Sequence, residues 1–460
     1  MITTLVALKM KHGSTVAAVV HELSEHPDLA SEEIALKAGV PKDELLDCYD
    51  IIQGNEELQR IIIDESTSPR LTGSTSDLLT DYKNYLVRIL SGEEVYPLIL
   101  EFHPGPICQC QCGFCFSKGF DYDEHKRGEK PISLDKVIEV FRECKQNAVE
   151  QIWFSGGKEP FMNPLTSDYI RAANQMGFGT RLYTNGVSMS RQVHDNILDC
   201  QQIRISINAA TPLTYNRIQF PQLTKIQSSK VFDTVLDNVH SLTNLKKEKN
   251  KKVKIGINQI LQPDNCHEML QFVSQGLRLG VDSVHFRLDA MDMVRDFSPA
   301  EMQKMRSAIA ELSRNSHGIE VDIRGVAEGE FESRAKQFLP KLAKARVCRA
   351  GLLKRNMNPY GAVYYCEFSS HPRFQAASPH LRMGDIKQES LGDILRRNVH
   401  RYPRPCRLCQ AHEYGLNITL EKVERDLEYG IPIERQPYYR RYDRRYDAQQ
   451  KQASAGTRQS

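Results

Sequence analysis

Six short apolar runs, each followed by a stretch with helical periodicity, constrain this chain more than any other feature. Leu98, Leu100 and Phe102 alternate as a strand would, and comparable runs fall at 150–155, 181–185, 203–209, 254–261 and 283–289. Between them, apolar residues recur at i, i+3 and i+4, beginning with a predicted helix from Ser133 to about Gln146. Strands that alternate with helices at this interval predict an α/β fold with a parallel sheet. A chain of 460 residues is long enough for about three domains at the usual ~150 residues each. Its 40% hydrophobic and 26% charged content excludes wholesale disorder. No window approaches the ~20 apolar residues of a membrane span, and Lys9 and Lys11 interrupt the apolar start too early for a signal peptide. The expectation is a cytoplasmic protein with no membrane partner.

The formal charge of +3 is concentrated at the end. Residues 437–460 hold six Arg or Lys against Asp443 and Asp447, which leaves the body near −1. A nucleic-acid binder carries its excess charge on a folded face, so a basic disordered tail over 431–460 is expected and no nucleic-acid partner. An RNA- or partner-binding tail is the competing reading.

In a reducing compartment twelve cysteines are not a disulfide framework, so their spacing decides their use. Cys48, Cys144, Cys200 and Cys266 stand singly and read as small buried hydrophobes. Cys108, Cys112 and Cys115 form C-x3-C-x2-C on the loop that His103-Pro-Gly-Pro106 opens after the first strand. Three thiolates can take three corners of a cubane and leave the fourth iron without a protein ligand. A closed four-ligand site, zinc or ferredoxin-like, would need Cys110 as the fourth, and alternate residues of a tight loop seldom converge on one metal.

The loop, with aromatic Phe114 just before its last cysteine, resembles the radical S-adenosylmethionine (SAM) superfamily. That resemblance implies a [4Fe–4S] cluster with an open iron, chelated by SAM, and cleavage of SAM to a 5′-deoxyadenosyl radical. Further along, Gly156-Gly157-Lys158-Glu159-Pro160 is similar to the family's SAM-ammonium motif but carries Lys158 before Glu159. The departure leaves open whether Glu159 or only the Gly156–Gly157 backbone makes the contact. Thr184-Asn185-Gly186 matches the family's third-strand motif, while Ser206 and Asn208 offer polar groups from the fourth strand. Arg217 sits where relatives place an arginine for the SAM carboxylate, and a surface helix arginine is the competing reading. His103, His285, Arg287 and Asp289 stand near strand ends as possible acid–base groups, or as ordinary core and loop residues. The resemblance covers about 95–330 and implies a partial (β/α)6 TIM-like barrel with its ligands at the C-terminal strand ends.

Cys348, Gly361, Cys366, Cys406 and Cys409 form C-x12-G-x4-C with a trailing C-x2-C. This resembles SPASM or twitch-like auxiliary-cluster domains, here over 331–430. It implies a second [4Fe–4S] cluster, with structural zinc equally admissible on coordination grounds. At the other end, residues 1–65 read as a helix-turn-helix-like domain turning at Gly39. Its second helix carries Asp43, Glu44, Asp47 and Asp50, which disfavours DNA. Seven Ser or Thr between Ser66 and Ser76 mark 66–94 as a linker and lead-in helix.

Family resemblance thus implies a cytoplasmic radical SAM enzyme, a lyase or oxidoreductase, taking electrons from a donor such as flavodoxin or ferredoxin. The motif set is similar to diol dehydratases and deaminases of amino-sugar antibiotic pathways, implying a sugar or aminocyclitol substrate. A maturase acting on a ribosomally made peptide is the alternative enzyme, and a non-catalytic binding protein the third class.

Overall fold

The structure is a computed structural model. It describes residues 12–26, 29–55, 58, 96–289, 296–314, 318–323, 326, 348–375, 379–398, 411–432 and 435. The chain divides into two compact units, one of residues 1–93, 342–349 and 411–460, the other of 94–341 and 350–410. Among the described residues no helix is long and apolar enough to cross a membrane.

In the first unit, helices α1 (Ser14–Glu25), α2 (Ser31–Ala38) and α3 (Lys42–Gly54) bury one face each. Val16, Val19, Val20 and Leu23 meet Ile34, Leu45, Tyr49 and Ile52 in one core. Gly39 ends α2 in the left-handed region at φ +67°, where a side chain would be strained. Asp43 and Glu44 lie in the first turn of α3, where a helix N-terminus favours negative charge, so part of that helix's acidity serves the helix itself. The last helix among the described residues, Ala411–Glu428, which the sequence grouped with the cysteine-rich region, belongs to this unit. Asp426 accepts the Ser31 N–H at 2.6 Å and Arg425 pairs with Glu33 at 2.9 Å. Ile431 is fully buried in the same core and Arg435 pairs with Asp50, so ordered structure continues past the expected start of the tail. An eight-residue helix such as α2 offers too little apolar surface to stand alone, and its partner lies almost 400 residues away, beyond the reach of local periodicity.

The second unit is built on a ten-stranded sheet in the order β10-β9-β8-β1-β2-β3-β4-β5-β6-β7. The strands are β1 Ile99–Phe102, β2 Gln151–Phe154, β3 Gly179–Thr184, β4 Gln202–Ser206, β5 Lys254–Leu261, β6 Ser283–Leu288, β7 Glu320–Asp322, β8 Lys354–Met357, β9 Ala362–Tyr364 and β10 Arg382–Asp385. All pairs from β8 through β7 are parallel, and β8-β9-β10 is antiparallel. Strands β1 to β7 are laid down in chain order, joined by α4 (Leu134–Gln146), α5 (Thr166–Gln175), α6 (Arg191–Ile197), α7 (Pro212–Gln219), α8 (Lys225–Glu248), α9 (Met269–Leu279) and α10 (Pro299–Arg314). Crossovers of one hand between successive neighbours put the helices on one face, which is the winding of a partial barrel and not of a doubly wound sheet. Ile152, Phe154, Leu182, Ile203, Ile205, Ile255, Ile257, Val284 and Phe286 are buried. Alternation then turns Glu101, Trp153, Tyr183, Arg204, Ser206, Asn258, His285 and Asp322 to the opposite, inner face.

All six expected strands are present. β7 and β8 were not expected, because β7 is three residues long and β8, Lys-Arg-Asn-Met, has no apolar alternation. Strands from the cysteine-rich region therefore extend the barrel's own sheet. Cys48, Cys144, Cys200 and Cys266 are buried, in line with their reading as small hydrophobes.

Candidate active site

The loop carrying Cys108, Cys112 and Cys115 leaves the C-terminal end of β1 and is fastened mainly through its backbone. Glu159 N–H donates to Ile107 O at 3.1 Å, Gln111 N–H to Gln219 O at 2.9 Å and Gly113 N–H to Ile218 O at 3.2 Å. The last two use carbonyls at the end of α7 that the helix itself leaves unpaired. Asn163 Nδ2 donates to Pro104 O at 3.1 Å. With the backbone so occupied, the thiols are left for other work. Cys110 is placed between Cys108 and Cys112, and its hydrogen bonds to both hold its thiol well above the ordinary range. The bond from Cys110 lowers Cys108, and burial, then the neighbouring Cys112, pushes Cys115 up to about 11. Asn185 Nδ2 reaches Cys110 Sγ at 3.2 Å. Among the described residues no three His, Cys, Asp or Glu converge on a single-ion site. The donor chemistry fits an iron–sulfur cluster, for which soft thiolates on a fixed backbone are the usual holders.

The Gly-Gly-Lys-Glu-Pro turn lies beside this loop. Gly156 adopts φ +142°, and a Cβ there would stand 3.1 Å from that of His103. A Cβ on Gly157 would stand 2.7 Å from Ser117 Oγ and collide with His371. Lys158, the residue by which this turn departs from the family pattern, points away to pair with Asp121 at 2.9 Å and leaves the glycines undisturbed. The Glu159 carboxylate is fully engaged. It accepts from Thr184 Oγ1 at 2.6 Å, from Asn185 N–H at 2.7 Å and from Phe161 N–H at 3.2 Å. Glu159 thus ties the end of β3 to this turn.

Burial raises the Glu159 pKa to about 7, against the three hydrogen bonds that lower it. A folded pKa above the unfolded value gives stability that is complete below the unfolded pKa and is lost as pH rises through about 7. The unfolding midpoint should therefore fall between pH 5 and 8, and Glu159→Gln should flatten that slope; chemical denaturation at stepped pH checks it.

The remaining expected positions separate. Phe114 is half-buried on the cysteine loop, and Ser206 is half-buried on the inner face of β4. Asn208, at φ +60°, spends its side chain on the fold, accepting from Ile260 N–H at 2.8 Å. Arg217 is exposed on α7, the surface position that was its competing reading. Asp289 is buried just past β6, and His285 pairs with Asp322 at 3.2 Å. Cys348 lies in the first unit and Cys366 in the second, while Cys406 and Cys409 lie outside the described residues.

Sequence reasoning missed a buried network joining β1 to β8. Glu101 pairs with Lys354 at 2.8 Å and accepts from Asn356 Nδ2 at 3.0 Å and from Ser155 Oγ. Lys354 also meets Glu367 at 2.6 Å, and His103 Nδ1 contacts Ser370 Oγ at 3.2 Å. Burial opposes the Glu101 charge, yet Lys354 and then His103 hold its carboxyl well below the usual range. Lys354→Met would remove the buried cation that Glu101 and Glu367 share and should cost roughly 3–5 kcal/mol, read from the denaturation midpoint. The segment after Cys366 also reaches the cysteine loop: His371 is hydrogen-bonded to Ser117 and meets the Phe116 ring edge-on at 4.8 Å. No local motif marks these residues, since parallel pairing of β1 with β8 brings together positions some 250 apart.

Against known proteins, the family described as the radical SAM superfamily matches residues 102–273. This chain carries a radical SAM domain. A radical SAM domain implies a [4Fe–4S] cluster and SAM as cofactors. Two curated relatives are similar over part of their length. The dTDP-4-amino-4,6-dideoxy-D-glucose ammonia-lyase of Streptomyces venezuelae is 23% identical over 68% of this chain and 66% of its own. The S-adenosylmethionine-dependent nucleotide dehydratase of Flammeovirga pacifica is 29% identical over 27% of this chain and 43% of its own. The matches thus span two thirds or less of these relatives. Among solved structures, Streptococcus suis SuiB bound to S-adenosylmethionine superposes with a TM-score of 0.48, at 14% identity, over 85% of this chain and 79% of that one.

Proposed function

We propose that this protein is a cytoplasmic radical SAM lyase that abstracts hydrogen from a sugar or aminocyclitol carbon and promotes loss of water or ammonia, as in natural-product biosynthesis. The observation that carries it is the C-x3-C-x2-C loop, fixed by backbone bonds at the C-terminal end of β1 beside the glycine turn. The sugar reading draws on the two relatives, one named as an ammonia-lyase of a nucleotide amino sugar and the other as a nucleotide dehydratase.

Cys108, Cys112 and Cys115 would hold the cluster. When bound and reduced, by flavodoxin, ferredoxin or a similar donor, that cluster supplies the electron that cleaves SAM to methionine and a 5′-deoxyadenosyl radical. The Gly156–Gly157 backbone offers carbonyls to the SAM ammonium, and Glu159 keeps that turn and the Asn185 backbone in register. The inner face of the barrel, opposite the helices, would orient the substrate. The spacing of the second cysteine group in the sequence supports a second [4Fe–4S] cluster or a zinc ion as a further cofactor.

The test is anaerobic reconstitution followed by assay with SAM, dithionite and a panel of nucleotide amino sugars. The expected result is 5′-deoxyadenosine together with a deaminated or dehydrated sugar. 5′-Deoxyadenosine formed only with a peptide precursor would transfer the reading to a peptide maturase, and none under any condition would end it.

A further inference from the structure

The inner face of the barrel gathers three arginines, Arg181, Arg204 and Arg287, close enough for their charges to act on one another. Ser206, Asn258, His285 and Asp322 stand in register across β4 to β7 as one polar row. Two residues nearer the strand N-termini, Arg204 pairs in register with Tyr183, about 7 Å below Ser206 on the same face. Of the acids here, the buried Asp322 is already used, by Arg287 at 2.6 Å and by His285 at 3.2 Å, and Glu320, in register with Ser283 at the end of the Arg204 row, is exposed on the edge strand. His285 is also satisfied, since its other nitrogen meets Ser283 Oγ at 2.8 Å. The contacts of Arg181 and Arg204 are aromatic: Arg181 lies 4.7 Å from the Trp153 ring and Arg204 5.9 Å from that of Tyr183. Burial, then the like charges of Arg287 and Arg181, disfavours the Arg204 cation.

Two buried polar atoms here have no hydrogen-bond partner, Arg204 Nε and Asn258 Oδ1. One is a cationic donor and the other an acceptor, on adjacent rows. Leaving such atoms unsatisfied is costly, so their arrangement suits a ligand that brings an anion to one and an O–H or N–H to the other. A neutral peptide backbone would leave the arginine charge uncompensated, whereas a phosphate neutralises more than one guanidinium and matches their planar donors.

We infer that the barrel interior binds a phosphorylated sugar, its phosphate received by Arg204 between Arg181 and Arg287, and a sugar hydroxyl or amino group by Asn258 Oδ1. This deepens the sugar reading above and rests on it. The sugar then extends from the Arg204 row toward the strand C-termini, the end from which the cysteine loop leaves β1. Arg204 and Asn258 are assigned as substrate-binding residues.

The test is calorimetric titration of the reconstituted full-length protein with thymidine diphosphate, thymidine and glutarate. Arg181 also lines an outer cleft at the strand N-termini with Lys251, Lys252 and Lys254, so Lys252→Ala serves as the comparison variant. Thymidine diphosphate should bind more tightly than thymidine or glutarate, and Arg204→Gln should weaken it by roughly 10- to 100-fold, with Arg204→Lys intermediate and Lys252→Ala unchanged. Equal binding of all three probes, or loss with Lys252→Ala and not with Arg204→Gln, would overturn the proposal. Should Arg204→Gln fail to fold, the probe comparison on the wild type and Arg204→Lys decide it. 5′-Deoxyadenosine assayed on the same preparation separates the two readings. SAM cleavage without selective thymidine diphosphate binding removes the phosphate pocket alone, and binding without SAM cleavage removes the radical reading alone.

Discussion

Replacing Cys108, Cys112 and Cys115 together by alanine is expected to remove about four irons per chain and to abolish reductive cleavage of SAM. The loop's own fastening does not depend on these thiols, because Ile107, Gln111 and Gly113 are held through backbone atoms. The variant should therefore keep its fold, with unchanged far-ultraviolet circular dichroism. Iron and zinc counts then report on the second cysteine group separately. About four residual irons would point to a cluster outside this loop, and one residual zinc would make the second cysteine group structural. A variant that retained all its iron would overturn the assignment of the loop.

Gly105→Ala should be nearly as damaging without touching a cysteine. A Cβ at Gly105 would collide with the Glu159 carbonyl and lie 3.1 Å from Pro160 N. Every obstacle is backbone, so no side chain can swing aside. The cysteine loop and the Gly-Gly-Lys-Glu-Pro turn would be forced apart where Glu159 N–H meets Ile107 O. The expected cost is about 2–3 kcal/mol, with iron retention reduced in parallel. Gly113→Ala on the same loop is the internal comparison, since nothing lies within 4 Å of its Cβ position. It should leave both stability and iron content unchanged. Equal losses in the two variants would show that the loop responds to helix or loop propensity and not to the close approach at Gly105.

Much of this architecture is legible in the sequence because it rests on local periodicity. The apolar alternation of β1 to β6, the cap of α4 at Ser133 and the turn at Gly39 are each set by a few neighbouring residues, and all lie where the pattern puts them. The spacing of Cys108, Cys112 and Cys115 likewise needs only one loop. Local reading failed where polar residues pair across long separations. Strand β8 has no apolar signature and is a strand because β1 offers it a parallel edge. Lys354 looks like an exposed lysine until that pairing sets it beside Glu101.

The sequence by itself determined the resemblance to radical SAM domains, the strand–helix succession and the cysteine loop, since each is written in short-range spacing. The tertiary structure alone decided what the side chains around that loop do. It committed the Glu159 carboxylate to Thr184 and Asn185, turned Lys158 away to Asp121, brought His371 against Ser117, and left Arg204 Nε and Asn258 Oδ1 without a hydrogen-bond partner on the inner face. Those outcomes depend on which buried polar groups find partners, and partners are assigned by packing between distant segments.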